Sequence, residues 1–370
     1  MIRAHKIRLY PNNVQSTYFA KSCGIARFAY NWGLAEWKRC YEAGKIVNEG
    51  ILRKKLNAVK REEFPWMLEV TKCAPQLAIK DDLKNAFKNF FAKRAGFPKF
   101  HKKGINDSFS LSNDQFKVND KFVQVPHIGN VRLAENLRFE GKILKATISR
   151  TADKWHISIQ VELSEETTHT SENQAVGVDL GVSVLATLSD GEKITGAKAS
   201  RKYENKLRRL NQELSRRKGA KNGEKQSHNF KKTKRKVSRL YVKMADIRAD
   251  DTHKLTTTLT QKFNLIGIED LNVKGMMSNR KLARSVADMS FFEFRRQLDY
   301  KAAARKSQII VADRWFASSK TCSNCGEVKS ELALSERMYH CEVCTFNCDR
   351  DINAAINLKN YAINNSERIA

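Results

Sequence analysis

The sequence predicts a multidomain α/β chain. A β-rich barrel interrupted by a helical insertion comes first, then an α/β domain with a partly parallel sheet and a four-cysteine ribbon. Three observations predict this. Apolar residues follow helical spacing over 14–95, alternate over 107–163, and then form apolar strands mixed with helices. Five of the 8 cysteines crowd between Cys322 and Cys348. Acidic residues, Asp179 and Glu269, interrupt two otherwise apolar strands.

At 370 residues the chain has room for two or three structural units and a sizeable core without disulfide staples. Lys and Arg number 68 against 40 Asp and Glu, a formal net charge of +28. A hydrophobic content of 41% is too much core material for a disordered basic chain. No apolar run reaches the roughly 18–20 residues that span a bilayer. The first 30 residues hold no apolar region of the signal-peptide kind. These features point away from a secreted, membrane-spanning or disordered protein. A folded chain this basic repels itself, so a polyanionic partner is expected.

The elements follow in order. Residues 2–10 read as a strand that Pro11, Asn12 and Asn13 terminate. Phe19, Cys23, Ala26, Tyr30, Leu34, Trp37 and Tyr41 step by three or four and form one helical stripe. Ile79, Leu83, Ala86 and Phe90 form another, which Gly96-Phe97-Pro98 breaks. Trp155, Ile157, Ile159, Val161 and Leu163 alternate with polar residues, a half-buried strand paired with 143–150 across a turn at 151–154. Several short strands with turn signals predict a small barrel, completed by the N-terminal strand, into which the helices of 14–95 are inserted.

Residues 164–174 are polar and read as a linker. One apolar strand is expected over 175–188, a second over 263–271 and a third over 307–312. Between them lie a basic helical tract, 198–262, and an amphipathic helix near 290–305; a helix over 352–362 closes the chain. Within the tract, residues 201–248 hold 18 Lys or Arg against 4 acids, which is half the net charge of the chain. Adjacent like charges such as Lys231-Lys232 and Lys234-Arg235-Lys236 are too one-sided for i,i+4 pairing and call for phosphate.

Cys23, Cys40 and Cys73 sit among apolar neighbours and read as buried small hydrophobes. Cys322-x2-Cys325, fifteen residues, then Cys341-x2-Cys344 is the spacing of a four-thiolate zinc site. Each pair makes a tight knuckle, and two knuckles complete a tetrahedral shell with no open position. Such a site is structural. Cys348 lies outside both knuckles and reads as a spare thiol, and His340 as a surface residue.

A carboxylate in a buried strand is costly unless something cationic compensates it. Asp179 follows Val176-Gly177-Val178, and Glu269 follows Ile266-Gly267-Ile268. The glycines permit close approach of a backbone or a ligand. A third acidic element, Asp349-Arg350-Asp351, opens a helix. Three carboxylates converging from separate segments would bind divalent cations through oxygen. Such a site can hold two ions about 3.5–4 Å apart and cut phosphodiesters in line.

Taken in order, Gly177-Val178-Asp179-Leu180-Gly181, Gly267-Ile268-Glu269-Asp270-Leu271, the paired C-x-x-C and 349–357 resemble the TnpB family. These are RNA-guided nucleases of bacterial and archaeal insertion sequences, considered ancestral to type V CRISPR effectors. Gly96-Phe97-Pro98-Lys99-Phe100 and 318–326 are also similar to that family. The resemblance implies a wedge-type β-barrel (1–13 and 97–170) with an inserted helical recognition lobe (14–96). It implies a RuvC-like, RNase H-like nuclease domain (171–317 and 349–370) and an inserted zinc ribbon (318–348). By the same resemblance Asp179, Glu269 and Asp351 are the catalytic ligands of two magnesium ions, and Cys322, Cys325, Cys341 and Cys344 hold structural zinc. Implied partners are a guide RNA made from the transposon end and double-stranded target DNA beside a short recognised motif. The implied location is cytoplasmic, with the nucleoid and no membrane.

The family's third acid stands two residues before the Asn of Asn-Ala-Ala, which selects Asp351 and leaves Asp349 to cap the helix. Two positions depart from the family pattern. Thr345 replaces the Gly that usually follows the second knuckle, and Cys348 stands where His or an aliphatic residue is commoner. Two further functions fit the same scaffold. One is an RNA-guided regulator unable to cut, which loss of a triad acid would signal. The other is a zinc-ribbon transposase working without a guide.

Overall fold

The structure, a computed structural model, describes residues 1–163, 174–218, 226–333 and 335–366. It divides into two units, Met1–Glu165 and Glu166–Ala370. The linker expected at 164–174 lies, except for Gln174, outside the described residues, as does part of the basic tract, 219–225.

In the first unit, β1 (Ile2–Tyr10) leads into α1 (Asn13–Glu42), followed by α2 (Glu49–Val59), α3 (Cys73–Leu77) and α4 (Lys84–Phe91). Asn12 starts α1 with a reciprocal cap. Its Oδ1 accepts from the Gln15 N–H at 2.8 Å, and its own N–H donates to Gln15 Oε1 at 3.1 Å. The predicted stripe of α1 is buried from Phe19 to Leu34, but Tyr41 is 78% exposed, so the stripe ends before the helix does. The expected helical run near Ile79 and Leu83 is a π-helical segment, Ala78–Leu83, that carries both side chains into the core.

Six more strands follow: β2 (Ser108–Ser112), β3 (Lys117–Asn119), β4 (Phe122–Val125), β5 (Gly129–Leu133), β6 (Lys142–Thr151) and β7 (Lys154–Glu162). The β6–β7 hairpin has the expected register, with Ile148 opposite Ile157 and Arg150 opposite Trp155. The sheet order is β2-β6-β7-β1-β5-β4-β3, all antiparallel. The predicted barrel is therefore not closed. Among the described residues no pairing joins the edge strands β2 and β3, and β3 offers only three residues with which to make one. The helices α1 and α3 pack against β2. Helices and sheet bury their apolar faces in one shared core.

The second unit begins with β8 (Ala175–Leu180), β9 (Ala186–Leu188) and β10 (Lys193–Ile194). The single strand expected over 175–188 is instead a hairpin, closed where Gly181 N–H donates to the Leu185 carbonyl. The basic tract forms α5 (Ala199–Arg216) and α6 (His228–Lys262), which share a small apolar seam of Leu210, Val237, Leu240 and Met244. Lys231, Lys232, Lys234, Arg235 and Lys236 are exposed on α6, with no ion-pair partner among the described residues.

Next come β11 (Leu265–Glu269), α7 (Val273–Ser278), α8 (Ala283–Met289), α9 (Phe291–Arg305) and β12 (Gln308–Ala312). The short β13 (Met338–His340) and β14 (Asn347–Asp349) precede the closing helix α10 (Arg350–Ser366). The main sheet runs β10-β9-β8-β11-β12, with β8, β11 and β12 parallel, so the partly parallel sheet is observed. No helix among the described residues is long and apolar enough to cross a membrane.

Candidate metal centres

The close approach foreseen at the glycines is made by the backbone of α10. A Cβ on Gly177 would stand 1.8 Å from the Ala355 carbonyl oxygen, and one on Gly267 2.2 Å from that of Leu358. Only glycine lets the helix lie this close to β8 and β11. Ala354, Ala355, Leu358 and Ala362 are correspondingly buried. Two amides anchor the other side of α10. Asn353 Nδ2 donates to the Thr321 carbonyl at 2.7 Å, and Asn357 Nδ2 donates to the carbonyls of Ser318 and Thr321 at 2.8 and 2.6 Å.

This packing brings the acids into one neighbourhood. The pairing of Ile268 with Val178 places Glu269 level with Asp179 on the adjacent parallel strand. Burial pushes the Asp179 carboxyl up to about 8, and the nearby charges of Glu269 and Asp351 add to the rise. Burial also raises Glu269, opposed by Ser318, whose hydroxyl donates to Glu269 Oε1 at 2.5 Å. None of the three acids has a Lys or Arg ion-pair partner among the described residues.

Asp349 is different. Its Oδ1 accepts from the backbone N–H of Asp351 at 3.0 Å and of Ile352 at 3.3 Å, and its Oδ2 accepts from Lys193 Nζ at 2.6 Å. Burial works to raise its carboxyl, but Lys193 and the N–H groups outweigh burial and hold it below the usual range. Asp349 thus caps α10 and is already neutralised, while Asp351 is left unpaired beside Asp179.

A set of half-buried carboxylates with no ion-pair partner among the described residues, eased at Asp179 only by the nearby Arg350 charge, fits divalent cations bound through oxygen. The set is open. Among the described residues, only Cys322, Cys325, Cys341 and Cys344 bring three or more ligand atoms within 4.8 Å of one another. The sulfur pairs Cys322–Cys344 and Cys325–Cys341 are each 3.6 Å apart. Bonds of about 2.3 Å to one zinc would set tetrahedral sulfurs roughly 3.8 Å apart, so the four thiols fit that ion. Asn324 Nδ2 donates to Cys344 Sγ at 3.5 Å and, with the Phe346 N–H, lowers that thiol to about 6. Tyr339, fully buried, packs beneath the knuckles.

Both knuckles end in a left-handed residue. Gly326 has φ +84° and Thr345 φ +56°. The departure at Thr345 therefore leaves the turn geometry intact and places a β-branched residue where glycine is unstrained. Cys348 is half-buried and lies outside the thiol cluster; His340 is exposed. Cys23, Cys40 and Cys73 are buried as expected. In the sequence Ser318, Asn353 and Asn357 stand out only as members of the motifs 318–326 and 349–357. Their contacts with Glu269 and with the turn before Cys322 give each a local task that no spacing rule announces.

Comparison with known proteins places this architecture among the Cas12-type α/β chains. The protein in a cryo-EM Cas12f1–sgRNA–target DNA complex superimposes with a TM-score of 0.60 at 15% identity, covering 94% of this chain and 83% of that one. Three family profiles match in sequence. "Probable transposase" covers residues 158–280, "Cas12f1-like, TNB domain" 291–358 and "Helix-turn-helix domain" 1–45. The last segment is here one strand and one continuous helix.

An Escherichia coli (strain K12) protein named "Putative RNA-guided DNA endonuclease InsQ" is 33% identical over 375 residues, 96% of this chain and 91% of that protein. A Streptomyces pristinaespiralis "Putative RNA-guided DNA endonuclease" is 34% identical over 367 residues, 96% and 88%. The chain belongs to this family, the TnpB-type RNA-guided DNA endonucleases of insertion sequences.

Proposed function

We propose that this protein cuts DNA next to a short target-adjacent motif, guided by RNA from the transposon end, through metal-dependent hydrolysis of phosphodiesters. The observation that carries the reading is the unpaired acid set Asp179, Glu269 and Asp351 in a chain of net charge +28. Magnesium, when bound, would supply Lewis-acid activation of water and stabilise the leaving oxygen. Two ions shared between the acids would complete such a site.

Around those ions the chain's own groups hold position. Ser318 orients Glu269, Asp349 caps the helix that presents Asp351, and α10 sits on Gly177 and Gly267. Cys322, Cys325, Cys341 and Cys344 hold zinc and secure the turn to which Asn353 and Asn357 bond. The resemblance supports a RuvC-like reading of 171–317 with 349–370, a ribbon at 318–348, a wedge at 1–13 with 97–170 and a recognition lobe at 14–96. The exposed Lys and Arg of α6 supply backbone contacts to RNA and DNA. A protein that leaves sequence reading to base pairing needs contacts of that kind.

The test is reconstitution of RNA-free protein with magnesium and either a matched or a scrambled guide. Cutting should follow the guide and move with it. Equal cutting with either guide would return the transposase reading, and guided binding without cutting would return the inactive regulator.

A further inference from the structure

A cavity of about 320 Å³ adjoins the acids, with Glu269 itself in its wall. Leu271, Val273 and Phe294 make an apolar floor, and Phe292 stands at the mouth, 74% exposed. Three cations, Lys274, Arg295 and Arg314, share this lining. Among the described residues, Arg314 and Arg295 are held only by exposed ion pairs, to Asp270 and Asp299, each at 2.9 Å. Surface pairs of that kind are worth little and exchange readily for phosphate. Lys274 has no acidic partner among the described residues.

An apolar slot with an open aromatic face and a cationic rim matches one nucleotide: a flat base between anionic phosphates. The volume suits a base with its sugar. A base inside a duplex is stacked on both faces and cannot enter, so the occupant is unpaired. We propose that this cavity seats one unpaired nucleotide of the DNA strand being cut, with Phe292 stacking on its base and Lys274 on its phosphate. It thereby sets the register of the scissile bond against Glu269. The inference rests on the nuclease reading and adds a binding subsite to it.

The test uses the protein with its matched guide and magnesium. Single abasic nucleotides are placed in turn at each position around the cut in otherwise matched DNA. Wild type should slow about tenfold at one position, the size of a lost base stack. Phe292→Ala should be slowed similarly on intact DNA and show no further dip at that position, while Phe292→Tyr keeps both rate and dip. Because Phe292 is exposed, its Ala variant should melt with wild type, which separates loss of the subsite from loss of the fold. A flat scan in wild type, or a dip that survives at full depth in Phe292→Ala, overturns the subsite alone. No cutting of intact matched DNA by wild type overturns the nuclease reading and the subsite with it.

Discussion

The thiol cluster and the carboxylate cluster lie in the same unit and are organised in opposite ways. The four sulfurs come from two short knuckles, already stand at the spacing of a single ion, and have their own small core around Tyr339. The three acids come from β8, β11 and the first turn of α10, stand farther apart, and repel one another in half-buried surroundings. Proximity in a knuckle is set by a few backbone angles. Proximity among the acids depends on a parallel strand pairing and on a helix seated on two glycines. A structural site can be made rigid locally, whereas a reactive one tolerates strain that the rest of the fold must offset.

The largest expected effect tests the reactive half of that contrast. Asp179→Ala, Glu269→Ala and Asp351→Ala should each slow cleavage by about 10³-fold or more, since a metal site supplies several kcal/mol of transition-state stabilisation. Guide RNA affinity should change little. Asp349→Ala should instead cost about 1 kcal/mol of stability as a lost cap. The reverse pattern for 349 and 351 in a cleavage assay would reassign the third ligand.

Cys341→Ser tests the structural half. Wild type is expected to carry one zinc per chain by elemental analysis; the variant should lose it and melt at a lower temperature, because zinc binding contributes directly to folding. Full zinc content in the variant would break the comparison.

Gly177→Ala separates the two sites. Its new methyl meets the α10 backbone, so destabilisation of about 1–3 kcal/mol and impaired cleavage are expected, with zinc content unchanged. Wild-type activity in this variant would mean that α10 can shift without disturbing the acids.

A smaller effect comes from the burial of Asp179, to which the neighbouring acids add their repulsion. Burial pushes the Asp179 carboxyl up to about 8 from an ordinary 3.8, so between those values the folded state is expected to keep a proton that the unfolded state has lost. Stability therefore falls as pH rises through that window. At pH 8 in chelator, Asp179→Asn should raise the melting temperature by roughly 2–4 °C per kcal/mol relieved, with less gain at pH 5. Magnesium should raise wild type more than the variant. An equal shift with magnesium in both would show that the ion stabilises some other place.

The smallest effect is at the second knuckle. Thr345→Gly removes a β-branched residue from φ +56° and should stabilise the ribbon by about 1 kcal/mol, read from thermal denaturation of the zinc-loaded protein. A loss of stability would show that the Thr345 hydroxyl, which donates to the Cys344 carbonyl, matters more than the strain.

The amino-acid sequence alone determined whatever depends on near neighbours or on sums. Charge adds along a chain, so the one-sided basic charge of the tract was legible in Lys231–Lys232 and their surroundings. Knuckle spacing is local, so the four-thiol cluster was legible, and so was the alternation of Trp155 to Val161. Tertiary structure decided what depends on partners far along the chain. Whether seven strands close is set by how β2 and β3 meet, and no residue of either records that. The split of 175–188 into a hairpin required β9 to find β8 and β10. Asp349 and Asp351 are both acids at the start of one helix. The Lys193 ammonium, reaching from β10, and the N–H groups of Asp351 and Ile352 neutralise and orient Asp349 as the cap, while Asp351 is left without an ion-pair partner among the described residues beside Asp179.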